Sequence, residues 1–281
     1  MKNKILAILM VLALVLAFTA CGKETPETTT TEAETETTTE APSESKEDAS
    51  EAVTDESATD VSEEETETTA EAGKAPETTE EIVAYFNEAV NNVKSNSKSI
   101  TQNYSNITLN GSCTLPSSLS GILKLLGGAD KFIGDQLAKN SKGSAVISKS
   151  AYPVENESYA SKLTAADVSS ATCTEADGKY TITVKTIADG KSSTIVHGTG
   201  HAPKAFNVIL PGTVNDNIPG VATSIVGTAT MNYPSATAKI VVDAATGNVL
   251  TADYSLNWTI NFDKVGASLP FNTHDNYTIA W

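Results

Sequence analysis

Hydrophobic and polar residues alternate along the C-terminal third of the chain. Every second residue is apolar from position 250 to 262, and after residues 263–264 the alternation continues in the opposite phase. This period of two is typical of strands whose side chains point alternately to an apolar and a polar side of a sheet. We call these sides the dry face and the wet face. The dry face is predicted to carry Tyr254, Leu256, Trp258 and Phe271.

Turn signals set the predicted pairing of these strands. A two-residue turn at 263–264 places Trp258 opposite Leu269 and brings apolar residues together throughout, a match that specifies register. The same test places another two-residue turn at 234–235, and the two hairpins together predict a four-stranded antiparallel meander. The Asp-Gly pair at 177–178 stands between alternating segments and predicts a further hairpin.

Helical periodicity dominates the region before the strands. Thr78 and Glu81 have the spacing of a capping box, and apolar residues then share one helical face: Ile82, Tyr85, Phe86, Ala89, Val90 and Val93. Further helix is predicted over 118–139, broken at 127–128 by two glycines. The apolar helical face needs a partner, and long strands tend to coil. We therefore predict an α+β fold with N-terminal helices packed on the dry face of a curved, roll-like antiparallel β-meander.

The first twenty residues have the features of a secretory signal peptide. Lys2 and Lys4 precede fourteen apolar residues at 5–18, a run shorter than the about 20 residues of a membrane span. The run ends in "LAFTAC" followed by Gly, which resembles the lipobox of bacterial lipoproteins. The resemblance implies that Cys21 is diacylated on sulfur and anchors the mature chain in a membrane. Its two acyl chains satisfy the requirement for stable anchoring.

A tract rich in Thr and Glu follows Cys21. Residues 22–80 contain 20 acidic residues, 3 Lys, 16 Thr and no aromatic residue. Such a chain buries too little apolar surface to offset the entropy of ordering it. We therefore expect a signal peptide at 1–20, a lipid-anchored disordered tether at 21–77 and a single α+β domain at 78–281.

The charge of the chain is concentrated in this tract. The formal net charge is −16, whereas residues 81–281 hold 14 Lys and 15 acidic residues and are nearly neutral. The chain contains no Arg, the residue most used for bidentate contacts to phosphate and guanine. This composition argues against nucleic acid and anionic lipid headgroups as partners of the folded part.

Cysteine and histidine residues offer three candidate kinds of chemistry. Cys113 and Cys173 permit one disulfide in an oxidising compartment or two separate buried thiols, and the spacing does not decide between them. His197 and His201 could share a metal ion only if the glycines between them form a tight turn, and two histidines in a loop without a metal are the simpler interpretation. His274 is predicted to form a cross-strand polar pair on the wet face.

The predicted partner of His274 is Asp253, directly opposite it. These two residues would form part of a catalytic triad only with a nucleophile nearby, and the chain has no Gly-x-Ser-x-Gly elbow. The C-terminal aspartates are predicted to be scattered over turns and the wet face: Asp243, Asp253, Asp263 and Asp275. We therefore predict no metal site, no cofactor and no enzymatic activity.

Three segments resemble an uncharacterised extracytoplasmic domain of lipoproteins from Clostridia-type Gram-positive bacteria. They are "EEIVAYFNEAVNNVK", "YASKLTAADVSSATCTEADGKYTITVK" and "VVDAATGNVLTADYSLNW". The resemblance implies a Gram-positive cell surface, at the outer face of the cytoplasmic membrane, and implies no activity.

Three functional hypotheses remain from the sequence. The first is a surface lipoprotein that displays a non-catalytic binding or envelope-structural domain on an acidic stalk. The second is a carrier of an apolar ligand or lipid on the dry face. The third is a cell-wall hydrolase, which would need carboxylates that converge in a cleft. The partner, whether protein, glycan or apolar ligand, stays open.

Overall fold

The structure, a computed structural model, describes residues 74–124, 127–138, 143–218 and 220–281. The predicted signal peptide, the lipidation site at Cys21 and nearly all of the predicted tether lie outside these residues. Within the described ranges, no helix combines the length and the apolar character needed to cross a membrane.

In the described part of the chain, eight strands form one sheet in which every pair of neighbours is antiparallel. The order is β2-β1-β8-β7-β6-β4-β3, and β5 pairs with β6 beside β4. The strands are β1 (Ser99–Leu109), β2 (Ala145–Ile147), β3 (Val168–Ala176), β4 (Lys179–Thr186), β5 (Asp189–Ser192), β6 (Thr230–Asp243), β7 (Val249–Phe262) and β8 (Ala267–Ala280).

A small number of helices accompany the sheet, and the predicted antiparallel sheet with helices is confirmed at this level. They are α1 (Thr79–Asn96), α2 (Ser117–Lys124), α3 (Ala129–Ala138), α4 (Pro211–Asn215) and α5 (Gly220–Val226). The capping box is present, because the Thr78 side chain accepts from Glu81 N at 3.2 Å and the Glu81 carboxylate accepts from Thr78 N at 3.0 Å. Gly127 separates α2 from α3 with a φ of 90°.

Side chains of α1 contact residues of the sheet and of the segment that leads into β3. The Tyr85 ring meets the Tyr180 ring of β4 edge to face, with centroids 5.9 Å apart. Asn87 Nδ2 donates to Leu163 O at 2.7 Å, and Asn91 Oδ1 accepts from Ala160 N at 2.6 Å. These contacts join α1 to Tyr180 of β4 and to the segment that precedes β3.

The turn between β7 and β8 has four residues, so the predicted two-residue turn is wrong. Asp263–Val265 form a 3-10 turn, and Gly266 follows with a φ of 65°. Trp258 consequently lies opposite Phe271, not Leu269. A shift of two residues does not move side chains to the other face, and the four residues predicted for the dry face are buried accordingly.

The predicted turn at 234–235 is also wrong. Residues 230–243 form the single strand β6, whose pairing with β7 shifts between Asn232 and Ser235. Pro234 lies in this β-bulge, where a residue without an N–H is tolerated because the ladder is interrupted. The predicted four-stranded meander is therefore three-stranded, β6–β7–β8, and β6 is flanked by the predicted hairpin β3–β4, whose turn at 177–178 is confirmed.

Candidate functional site

The four residues predicted as an apolar-ligand face are buried. Tyr254, Leu256, Trp258 and Phe271 are only 4%, 3%, 1% and 3% exposed. The rings of Trp258 and Phe271 stack with centroids 4.4 Å apart, and Trp258 Nε1 donates to Thr273 Oγ1 at 2.9 Å. These side chains therefore fill the dry face by contacting one another.

The dry face also holds a polar cluster where β8 meets β1. Asp275 is 5% exposed and lies on this side, so its predicted place on the wet face is wrong: positions 271, 273, 275 and 277 share one phase. Gln102 Nε2 lies 3.2 Å from Tyr277 Oη and 3.5 Å from Asp275 Oδ1. Burial, together with the Asp275 charge, raises the pKa of Tyr277, which keeps its hydroxyl protonated.

A small cavity adjoins this cluster. Its volume is about 10 Å³, which is near the lower limit for one water molecule, whereas ligand pockets usually measure roughly 300–1,000 Å³. The lining residues are Pro153, Phe206, Asn207, Tyr254, Leu256, Thr273, Asp275 and Tyr277. The space beside Tyr254 and Leu256 therefore accommodates water rather than a lipid chain.

On the wet face, a network of polar side chains surrounds His274. Its Nε2 lies 3.0 Å from both carboxylate oxygens of Asp253, which confirms the predicted polar pair. The Tyr104 ring meets the imidazole edge to face at 5.2 Å, with its hydroxyl 3.4 Å from Nε2. Asn276 Nδ2 donates to Asp253 Oδ2 at 2.9 Å, and Asn103 Nδ2 donates to Asn276 Oδ1 at 2.7 Å. We call these five residues the His274 network.

Amide side chains continue this pattern across the sheet. Asn272 Nδ2 of β8 donates to Asn257 Oδ1 of β7 at 2.8 Å, and Asn257 Nδ2 donates to Ser235 Oγ of β6 at 2.8 Å. Asn261 Nδ2 likewise donates to Asn232 Oδ1 at 2.9 Å. The wet face thus consists of polar groups that are oriented by hydrogen bonds between neighbouring strands.

The His274 network keeps its groups partly accessible. The side chains of His274 and Asp253 are 40% and 36% exposed. Desolvation and the Asp253 carboxylate raise the pKa of Tyr104, so its hydroxyl remains a donor at neutral pH. Ser255, not Asp253, lies directly opposite His274, and Ser255 Oγ accepts a hydrogen bond from Asn272 Nδ2 at 3.0 Å.

His201 belongs to a different cluster, centred on the buried carboxylate of Asp167. His201 Nδ1 lies 2.9 Å from Asp167 Oδ1, and Lys204 Nζ donates to both oxygens at 2.7 and 2.9 Å. The backbone N–H of Thr164 donates to Oδ2 at 2.8 Å. Burial opposes ionisation of Asp167, but Lys204, Thr164 and His201 outweigh it and lower the pKa to about 2.

The loop that contains His201 contacts a second buried carboxylate, that of Asp189. Asp189 accepts the backbone N–H groups of His201 and Ala202 at 2.7 and 2.8 Å. Gly200 has a φ of 69°, and a Cβ there would lie 2.6 Å from Asp189 Oδ1. The loop therefore has a structural role that the spacing of the histidines did not reveal. Among the described residues, no group of three or more His, Cys, Asp or Glu could hold a metal ion.

Cys113 and Cys173 are both free thiols, so the disulfide that the sequence permitted does not form. Thr114 bridges to Ser268 of β8, whereas Cys173 lies in β3, four strands away in the sheet. Four strand spacings correspond to about 19 Å, beyond the roughly 7 Å limit between bridged Cα atoms. Burial and the nearby Asp130 raise the pKa of Cys113 to about 12, which keeps this thiol protonated at neutral pH.

Comparison with protein-family models, with curated proteins and with solved structures finds no match for this chain. Two features are relevant to binding: a dry face filled by its own side chains and a wet face with oriented polar groups.

Proposed function

We propose that this chain is a lipid-anchored protein of a Gram-positive cell surface that displays a non-catalytic binding domain. The lipobox-like leader ending at Cys21 supports attachment to the outer face of the cytoplasmic membrane. The acidic Thr/Glu tract after Cys21 supports a solvated tether, because its like charges repel and extend it. The tether holds the folded part away from the membrane.

The folded part is a roll in which helices pack on the dry face of a curved sheet. Support comes from the contact between Tyr85 of α1 and Tyr180 of β4. The three strands β6, β7 and β8 each have fourteen residues, a length at which twisted strands coil. In this arrangement the dry face is enclosed and the wet face is the side that meets a partner.

The observation that carries the binding proposal is the hydrogen-bonded polar surface around His274. Its amides, carboxylate and phenol are held by neighbouring side chains, so binding costs them little conformational entropy. Sugars present hydroxyl groups that pair with amides and carboxylates, and an apolar ring face that can contact an aromatic side chain such as Tyr104. We therefore favour a neutral glycan as the partner.

Co-sedimentation with cell-wall glycan stripped of anionic polymers tests this proposal. We expect His274→Ala and Tyr104→Ala to weaken binding by about tenfold or more, since each removes a hydrogen-bonding group. Thr181→Ala, on β4 of the same wet face but outside the network, is the matched control and should bind normally. Equal binding by all variants, or no co-sedimentation of the wild type, would rule out this surface as the glycan site.

Membrane attachment has its own test. Metabolic labelling with a clickable fatty acid should mark the wild-type chain in the membrane fraction, and Cys21→Ser should lose both the label and the membrane association. An unlabelled wild-type chain would contradict the anchor without affecting the glycan experiment.

The carrier hypothesis is less favoured, because the cavity beside Tyr254 and Leu256 measures about 10 Å³. Native mass spectrometry of the protein purified without denaturation tests it. A bare mass agrees with a filled dry face. A co-purifying apolar molecule released by organic solvent would show that this face opens and would replace the proposal.

A further inference from the structure

Strand β3 forms one edge of the sheet. It has nine residues and, among the residues that the structure describes, it pairs only with β4. The opposite end of the sheet is formed by β2, which has three residues. An edge strand of this length presents a row of backbone N–H and C=O groups that another strand can bind.

The β3–β4 turn determines which backbone groups point outward. Asp177 and Gly178 have φ values of 52° and 67°, as in a two-residue type I′ turn, so the flanking pair Ala176–Lys179 exchanges hydrogen bonds. Paired and unpaired positions alternate along an antiparallel ladder. The residues that direct N–H and C=O away from β4 are therefore Ala171, Cys173 and Glu175.

This edge is only partly protected against strand addition. A β-bulge interrupts its pairing between Val168 and Ser170 and Glu175 lies in the dry-face phase, but Ser170–Ala176 pair with β4 without interruption. Natural edges carry Lys, Pro or inward charges, or are short. Residues 168–176 contain neither Lys nor Pro, and Glu175 is their single charge. By contrast, β5 spans four residues and includes Asp189 and Lys191, and β2 is too short to accept a long strand.

We propose that β3 pairs antiparallel with β3 of a second copy of this chain, which continues the sheet across a two-fold axis. The outward groups are self-complementary, because two-fold pairing places hydrogen-bonding positions of one copy against those of the other. Ser and Thr side chains then face each other across the junction, a favourable cross-strand combination.

Charge favours a second copy over a charged peptide as the occupant. Residues 81–281 carry 14 Lys and 15 acidic residues, so two folded parts meet without net repulsion, and the edge has no cluster of charge that would select a charged strand. Display on one membrane, which rests on the proposed function, would raise the local concentration of copies. The pairing itself does not depend on that display.

A two-fold axis at Cys173 brings all three outward residues of one copy against those of the other, whereas an axis at Thr172 pairs only Ala171 and Cys173, and an axis at Thr174 only Cys173 and Glu175. Ala171 takes part in the first two registers, which place Cys173 opposite Cys173 and Thr172 opposite Thr172, with Cα separations of about 5.5 and 4.5 Å. Both lie within the range for a disulfide. Mild oxidation with diamide should therefore cross-link either the native chain through Cys173 or the double variant T172C/C173S, and the cross-linked variant identifies the register.

Sedimentation equilibrium tests the dimer on the mature full-length protein in detergent, with reductant present. We expect Ala171→Pro to weaken dimerisation by about tenfold or more, because it removes one outward donor from each copy. Its fold should survive, since proline is tolerated where an edge N–H faces solvent. Ala171→Ser keeps the N–H and is the matched control that should dimerise like the wild type.

A second variant tests the dimer independently, in case Ala171→Pro does not fold. T172K/T174K places like charges against each other across the junction on exposed side chains and should also abolish the dimer. The inference is overturned if the wild type remains monomeric at every concentration and neither cysteine position cross-links, or if Ala171→Pro and T172K/T174K dimerise like the wild type. These outcomes do not depend on glycan binding or on Cys21.

Discussion

The two faces of the sheet use neighbouring residues of the same strands for different purposes. Trp258 on the dry face is 1% exposed and stacks on Phe271, whereas its neighbour Asn257 on the wet face is half-buried and bonds laterally to Ser235 and Asn272. Apolar burial contributes stability roughly in proportion to area. Exposed polar pairs contribute much less, because they exchange hydrogen bonds with water for hydrogen bonds with each other.

The dry face also contains buried polar groups, and one of their contacts helps to determine the register in which β7 and β8 pair. A slip of two residues between β7 and β8 would keep every side chain on its own side. It would, however, separate the Trp258 indole from the Thr273 hydroxyl, which it contacts at 2.9 Å. Leaving a buried donor unpaired costs more than the bond itself contributes. The buried polar pair therefore specifies a register that apolar matching alone leaves open.

The largest difference in stability between the two faces is expected when Trp258 and its sequence neighbour Asn257 are each replaced by alanine. Trp258→Ala should lower the free energy of unfolding by about 3–5 kcal/mol, because it opens a cavity in the core. Asn257→Ala, one residue away, should cost less than about 1 kcal/mol. Urea denaturation followed by circular dichroism measures both. Equal losses would mean that the two faces share the stabilising role.

A somewhat smaller effect is expected at Asp167, a carboxylate buried away from the His274 network. Asp167→Asn should cost about 2 kcal/mol, since it weakens hydrogen bonds to a charged group. The pKa of Asp167 is lowered from 3.8 to about 2 in the fold, so its contribution is present above pH 4 and is lost as the pH falls toward 2. Unfolding midpoints between pH 2 and 5 measure this dependence.

The wet-face carboxylate Asp253 provides the control for that experiment. Its side chain is 36% exposed, so Asp253→Asn should cost less than Asp167→Asn. Asp167→Asn should flatten the stability profile between pH 4 and 2. An unchanged profile in that variant would assign the acid dependence to other groups.

Local signals in the sequence were sufficient for the elements whose causes are local. The capping box at Thr78 and the Asp-Gly turn at 177–178 each satisfy nearby backbone groups, and the structure contains both. The length of the turn at 263–266 could not be predicted from the sequence. A turn of two residues and a turn of four residues leave the alternation of the following strand in the same phase. Pro234 was misread for a related reason: a proline at a β-bulge resembles a proline in a turn.

Strand β1 was missed because its dry side is partly polar. Gln102 and Ser105 occupy buried positions, so the segment shows no clear alternation, and β1 forms a strand because it pairs with β8. The candidate site was accordingly only half predicted. The contact between His274 and Asp253 followed from alternation on β7 and β8, whereas Asn103 and Tyr104 both lie on the unpredicted strand β1.

The β7–β8 turn, which sets the register of these two strands, provides a third test, with a smaller expected effect on stability. Gly266 has a φ of 65°, so Gly266→Ala should cost about 1 kcal/mol through backbone strain. Gly212→Ala, at an exposed helical position with no atom near an added Cβ, should be neutral or slightly stabilising. If both substitutions behave alike in urea denaturation, the left-handed residue does not constrain the β7–β8 turn.

The smallest effect on stability is expected at His274, which is where the comparison is most informative about function. His274→Ala removes a half-exposed pair with Asp253 and should lower the free energy of unfolding by less than about 1 kcal/mol, while glycan binding falls by the larger factor proposed above. Loss of binding at unchanged stability would separate the recognition role of the wet face from the structural role of the dry face. A loss of stability comparable to that of Trp258→Ala would instead make the His274 network part of the framework that holds β1, β7 and β8 together. Urea denaturation and co-sedimentation on the same preparation decide between these outcomes.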